Sequence, residues 1–252
     1  SKARKFDTLI VGNPGQMTPF LSLFLRGPRK IVFVDDGLSM LETARIRRQV
    51  VEPTRRRTLG NLFVAPLQWP KPVSVFTGFS ELAFRSGDNV LKQEPPLIKR
   101  SSIRVEPGLV WLLGNPFVEE GAMRVEDYRG LLKNIIEGQL QQTSRIEYFP
   151  HRREEAPITD HVIDGLGIRK MQVSSSIEDF VIDRKFVAGQ VIGFGSTALE
   201  TLSKFTPDSC ELKNVLVHAP RSKLGADSPS AIAERFRASH RIKVVEPGAP
   251  GS

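Results

Sequence analysis

Short uninterrupted apolar runs, each closed by small or charged residues, alternate along the chain with stretches of helical spacing. FDTLIVG (6–12) and KIVFV (30–34) are two such runs. Their continuous apolarity predicts strands buried on both faces of a parallel sheet. QMTPFLSLFLRG (16–27) lies between them, and LSMLETARIRRQV (38–50) predicts a helix whose basic end complements its dipole. From about 51 to 105 breakers dominate (TRRR, WPKP, QEPP), with VSVFTGF (73–79) and ELAFRS (81–86) as strand candidates. Beyond residue 106 the alternation strengthens. LVWLLG (109–114), RIEYFP (145–150), KMQVS (170–174), QVIGFGS (190–196) and NVLVHA (214–219) predict strands. VEDYRGLLKNIIEGQL (125–140), HVIDGLG (161–167), IEDFVID (177–183), ALETLSKF (198–205) and SAIAERFRASH (230–240) predict helices.

Alternating strands and helices predict the α/β class, as two consecutive units with a join near 92–107, marked by Gln93, Pro95, Pro96 and Pro107. The expected division is 1–105 and 106–252. In open α/β sheets ligands bind beyond the carboxyl ends of the strands. Those ends carry Gly12-Asn13-Pro14, Asp35-Asp36-Gly37, Gly114-Asn115-Pro116, His151-Arg152-Arg153-Glu154, Ser174-Ser175-Ser176 and Gly195-Ser196-Thr197. Small, polar or charged groups fill all of them, as expected of two sheets facing one cleft.

Composition narrows the class. The 252 residues are 40% hydrophobic and 25% charged, enough for a packed core and unlike a disordered chain. A net charge of +8 favours anionic partners such as nucleotides, acidic glycans or a lipid surface. Cys210 is the single cysteine, so no internal disulfide forms, consistent with a reducing, cytoplasmic setting. No run is long enough to cross a bilayer. TRRR and ARIRR lack interleaved aromatics and no nucleic-acid motif appears, so the basic residues are expected to form a solvated face or one that meets an acidic acceptor or lipid headgroups.

Each strand end has a chemical and a plain reading. On an extended backbone Asp35 and Asp36 point to opposite sides, so one at most addresses a given point in a cleft. Repulsion from its neighbour and partial desolvation would raise its pKa, as a general base requires; an Asp-Gly turn before a helix is the plain alternative. His151 can supply a proton near neutral pH. Arg152 and Arg153 offer forked cations to phosphate or carboxylate, and would lower the histidine pKa unless an anion is bound. His161, His218 and His240 have no comparable setting. Ser196 and Thr197, ahead of a helix, either hold phosphate or simply cap it. Glu178, after three serines, either takes ribose hydroxyls or sits in a capped first turn. Gly114 and Asn115 could let the backbone approach a ligand closely. There is no GxxxxGK[ST], GxGxxG or CxxC sequence, and scattered Asp and His make no metal site.

The order of three of these elements carries more than any one of them. DDG, then a histidine after proline at a strand end, then a Ser/Thr pair before a helix, resembles the D/E-D/E-G, HP and SS/ST motifs of bacterial sialyltransferases. YFPHRRE, SSSIEDF and VIGFGSTALETL look most like the polysialyltransferase and lipooligosaccharide sialyltransferase branch. The resemblance covers most of residues 30–205. It implies a GT-B fold, two facing Rossmann-like domains with an inter-domain cleft, the short N-terminal one being minimal or truncated. It also implies inverting transfer of a nonulosonic acid from a CMP-activated donor to a glycan or glycolipid hydroxyl, at the cytoplasmic side of the inner membrane. By this likeness Asp35 is the base with Asp36 as fallback, and His151 assists CMP departure. Ser196 and Thr197 hold the phosphate, Glu178 lies near the ribose, and no metal cofactor takes part. Where the family has proline after the histidine, this chain has Arg152, an extra cation towards the donor. A CMP-Kdo-dependent transferase, a non-catalytic glycan- or anion-binding protein and, on charge alone, a nucleic-acid-binding module are the competing readings.

Overall fold

A computed structural model of the chain describes residues 7–12, 28–34, 44, 47–48, 72–77, 84–92, 100–139, 145–217, 236 and 239–247. The chain divides into two compact units, residues 1–94 and 95–252. Both have a mixed α/β composition and a wholly parallel sheet.

The first unit has four strands in sequential order: β1 (Thr8–Val11), β2 (Lys30–Val34), β3 (Ser74–Thr77) and β4 (Asn89–Lys92). Leu9, Val11, Ile31, Phe33 and Val75 are buried on one face, as period-two alternation requires. Ala44, Arg47 and Arg48 are helical, in the segment where a helix is expected. Arg47 makes a forked ion pair with Asp88, both side chains being fully buried, and Asp88 also accepts the Val73 N–H (3.0 Å). This pair anchors the turn that feeds β4. ELAFRS departs from expectation, since Phe84, Arg85 and Ser86 lie in irregular and turn structure rather than a strand.

The second unit has six strands: β5 (Arg104–Leu113), β6 (Arg145–Phe149), β7 (Ile168–Lys170), β8 (Phe186–Gly193), β9 (Glu211–Val215) and β10 (Ile242–Val245). Their order across the sheet is β10-β9-β8-β5-β6-β7. Counted from β5 this is 3-2-1-4-5-6, the doubly wound order of nucleotide-binding sheets. The order reverses between β5 and β8, where those sheets open a crevice beyond the strand ends. The residues of β5 are divided between two cores. Leu109, Trp111 and Leu113 pack with α3 (Ile177–Arg184) and α4 (Thr197–Phe205). Val110 and Leu112 pack with α1 (Val125–Gln139) and α2 (Ala156–Ile163).

Local chemistry explains the boundaries. Pro107 and Gly108 form a bulge inside β5, where the pairing with β8 jumps from Glu106–Ala188 to Val110–Gln190. Gly108 takes φ 77°, and a side chain at Gly189 would meet the bulged backbone at 3.1 Å. Pro107 is thus a strand residue and not part of the join, and position 105/106 falls within β5. α2 begins at Ala156 rather than near residue 161, because Pro157 is tolerated in the first turn, whose N–H groups have no intrahelical partner. Trp111 is fully buried, donates to Glu147 Oε2 (3.1 Å) and stacks edge-on against Phe149, Phe180 and Phe186. Among the described residues no helix is long and apolar enough to cross a membrane.

Candidate functional site

Three strand ends meet at the reversal of strand order. β5 runs into Gly114-Asn115, β8 into Phe194-Gly195-Ser196, and β6, the neighbour of β5, into Pro150-His151. The Asn115 side chain closes the crossover by donating from Nδ2 to the Phe194 carbonyl (3.0 Å). Asn214, buried on β9, accepts the Gly195 N–H (2.6 Å), while Gly195 takes φ 75°, a conformation that favours glycine. These bonds fix the turn that delivers Ser196 and Thr197 to the start of α4.

Ser196 is an N-cap. Its Oγ accepts the Ala198 N–H at 3.3 Å, which leaves the hydroxyl hydrogen to donate elsewhere. Glu178 is set differently. Ser176 caps α3 by accepting the Asp179 N–H (3.1 Å) and donating to Asp179 Oδ2 (2.9 Å). Glu178 lies in that capped first turn, on the helix that follows β7 in the chain. Asp35 and Asp36 lie outside the described residues; β2 ends at Val34, immediately before them.

His151 is half-buried, and Arg152 beside it is exposed. Its Nδ1 accepts the Arg153 N–H (3.2 Å), so in the neutral ring the proton sits on Nε2. Burial pushes its pKa below the usual histidine value, and Arg153 and Arg152 push it further. The effect expected of the two arginines is present, but desolvation is the larger cause. A bound anion would act in the opposite direction.

Sequence reasoning missed the groups beneath the histidine. Glu154 Oε1 accepts the His151 N–H (3.2 Å), and Oε2 accepts from Tyr148 Oη (2.9 Å) and Thr159 Oγ1 (3.1 Å). Tyr148 Oη lies 2.8 Å from Tyr128 Oη, which accepts the Asn115 N–H (3.2 Å). The chain has two tyrosines against fifteen phenylalanines, and both stand in this network. Phenylalanine would fill the same core volume, so tyrosine at both points is accounted for by the hydroxyls. Their spacing in sequence, twenty residues apart on a helix and a strand, gave no local signal. Gly114 also gains a different reason. A side chain there would come within 2.6 Å of Tyr148 Oη and closer still to Glu154 Oε1, so glycine leaves room for this carboxylate. Two surface links hold the same loop: Glu119 Oε1 accepts the Glu155 N–H (2.8 Å), and Arg153 pairs with Glu120 (2.5 Å).

Burial raises the Glu154 pKa to about 7, against the hydrogen bonds from His151, Tyr148 and Thr159 that favour the carboxylate; Glu119 raises it slightly more. Between its ordinary 4.5 and about 7 the folded protein therefore holds a proton that the unfolded chain has lost. This contribution to stability is present below that window and falls as pH rises through it, by up to about 3 kcal/mol in all. Glu154→Gln lacks the titration. Urea unfolding of both proteins from pH 4.5 to 8 is expected to show the wild type losing stability relative to the variant across that window, and a constant difference would rule the shift out.

Among the described residues no group of three or more His, Cys, Asp or Glu side chains is placed to hold a metal ion. In comparisons with known proteins, no family model matches the chain and no curated sequence matches it.

Proposed function

We propose that this chain is an inverting glycosyltransferase that moves a nonulosonic acid, sialic acid or a close relative, from its CMP-activated donor to a glycan hydroxyl. The observation that carries this reading is the strand order. On a doubly wound sheet His151 follows the second strand and Ser196-Thr197 the fourth, on either side of the strand that opens the unit. A nucleotide phosphate bound at the crossover would meet both, with a helix N-terminus on one side and an Nε2–H donor on the other. The resemblance to bacterial sialyltransferases supplies the sugar class, the GT-B pairing of two domains and the base.

In this reading Asp35 takes the proton of the acceptor hydroxyl as its oxygen attacks the anomeric carbon of the donor sugar. The bond from that carbon to the CMP phosphate oxygen breaks, and CMP leaves with the electron pair. His151 Nε2–H donates to the phosphate as charge develops there, and the Ser196 and Thr197 hydroxyls hold it. Arg152 adds a cation on the donor side. Donors fixed before the reaction stabilise that charge without reorganising. The acceptor is a glycan or glycolipid, and the basic surface offers contact with an anionic membrane face.

Calorimetric titration with CMP and CMP-sialic acid, together with CMP release in the presence of a glycan panel, tests the reading. Binding of both and acceptor-dependent release are expected. Absence of CMP binding would sink it, and binding without release would favour a non-catalytic glycan- or anion-binding protein. Replacing Ser196 by Ala and Thr197 by Val is expected to weaken CMP binding by about 1–3 kcal/mol. Unchanged affinity would reduce the pair to helix capping.

A further inference from the structure

We propose that Glu154 is a positioning residue whose proton state sets the backbone at His151 and the direction of the hydroxyl chain formed by Tyr148 and Tyr128. The inference deepens the reading of His151 as the donor-side group, and rests on it for its consequence in turnover.

The geometry provides two states. With Glu154 ionised, the carboxylate accepts from the His151 N–H, Tyr148 Oη and Thr159 Oγ1. Tyr128 then donates to Tyr148, and the hydroxyls run towards Glu154. A proton taken from solvent onto Oε2 turns that oxygen into a donor. With that proton aimed at the nearer hydroxyl, Tyr148 accepts from Glu154 and donates to Tyr128, and Thr159 keeps its second acceptor, the Glu155 carbonyl at 3.2 Å. Tyr128 accepts the Asn115 N–H in both states, so the reversal ends at Tyr128, whose oxygen is in turn bonded to the residue that closes the strand crossover. At the other end, the His151 N–H loses a charged acceptor and keeps a neutral one, a bond about half as strong.

Every element packed around Glu154 contributes a group. Tyr148 comes from β6, Tyr128 from α1 and Thr159 from α2, with Glu119 on the loop after β5 and His151, Arg152 and Arg153 on its own loop. Glu119 disfavours the charged form, and Arg153 is drawn away to Glu120. Burial places the balance point near pH 7, and burial with Arg153 and Arg152 lowers the titration of His151 below that of an ordinary histidine.

The test follows the His151 backbone amide in ¹H–¹⁵N spectra from pH 5 to 9. In the wild type its shift is expected to move with a midpoint near 7. The Glu154→Gln protein should lack that step, and Tyr148→Phe, which removes one donor to the carboxylate, should move it to higher pH. CMP release is expected to fall about tenfold in kcat as pH drops through the same midpoint. Glu154→Gln is expected to be slow and flat across it, with KM for the donor changed less than about twofold, since the donor does not touch Glu154. A His151 amide that ignores this midpoint in the wild type, or follows it unchanged in Glu154→Gln, overturns the proposal. If the amide titrates as expected but CMP does not bind, the coupling stands and the transferase reading is the one that falls.

Discussion

His151→Ala is expected to slow CMP release from the donor by about 10²–10⁴-fold with any acceptor, while altering CMP affinity little. The ring has one nitrogen committed inward, Nδ1 accepting the Arg153 N–H, and therefore presents a proton at Nε2. Because burial and two arginines keep it neutral near pH 7, it is a hydrogen-bond donor whose strength rises as phosphate charge appears. That gain is made in the transition state more than in the ground state, which is why the rate and not the affinity suffers. The substitution leaves the backbone N–H that Glu154 holds, so the thermal unfolding temperature should be unchanged and the loss assignable to chemistry. Turnover equal to the wild type would remove His151 from the reaction.

What was legible in the sequence follows from how thoroughly each segment is buried. β5, β6, β8 and β9 are interior strands. LVWLLG, RIEYFP and QVIGFGS locate the first three, although β5 and β8 begin earlier than their apolar runs. β9 (Glu211–Val215) shares only Asn214 and Val215 with the predicted 214–219, because Glu211 and Lys213 make its first residues largely polar. β4 and β10 escaped notice. Each is an edge strand, and Lys92, Asn89 and Lys243 interrupt the pattern because one side of the strand lacks a partner. α2 begins five residues ahead of HVIDGLG, because Ala156 and Pro157 make its first turn and carry no helical apolar spacing of their own. The strand ends that could carry chemistry were visible, since His151, Asn115 and Ser196 follow apolar runs. The support beneath them was not. Glu154 reads as one more charge in a basic loop, Tyr148 as a strand aromatic and Tyr128 as a helix aromatic, and their meeting is a property of how α1 packs on β6.

Gly114→Ala is expected to destabilise the second unit by about 3–5 kcal/mol, larger than usual for so small a change. Gly114 has no unusual backbone angle, so the cost is steric, and its N–H is held by the Phe149 carbonyl at 2.8 Å, which prevents the strand end from shifting away. The added carbon would stand 2.6 Å from Tyr148 Oη and 2.9 Å from its Cζ, with Glu154 Oε1 nearer still. Contacts below 3 Å must be relieved, and overpacking of this kind costs about 1–3 kcal/mol. Relief by expelling the carboxylate also breaks its bonds from His151, Tyr148 and Thr159, hydrogen bonds to a charged group being worth about 1.5–3 kcal/mol. The remedy identifies the cause. Adding Glu154→Ala removes the colliding oxygen, so the double variant should be more stable than the sum of the two single losses predicts, by about 1 kcal/mol or more. Urea unfolding of the four proteins measures this coupling. Strict additivity, or a Gly114→Ala protein as stable as the wild type, would mean that the carboxylate does not occupy the space the glycine leaves.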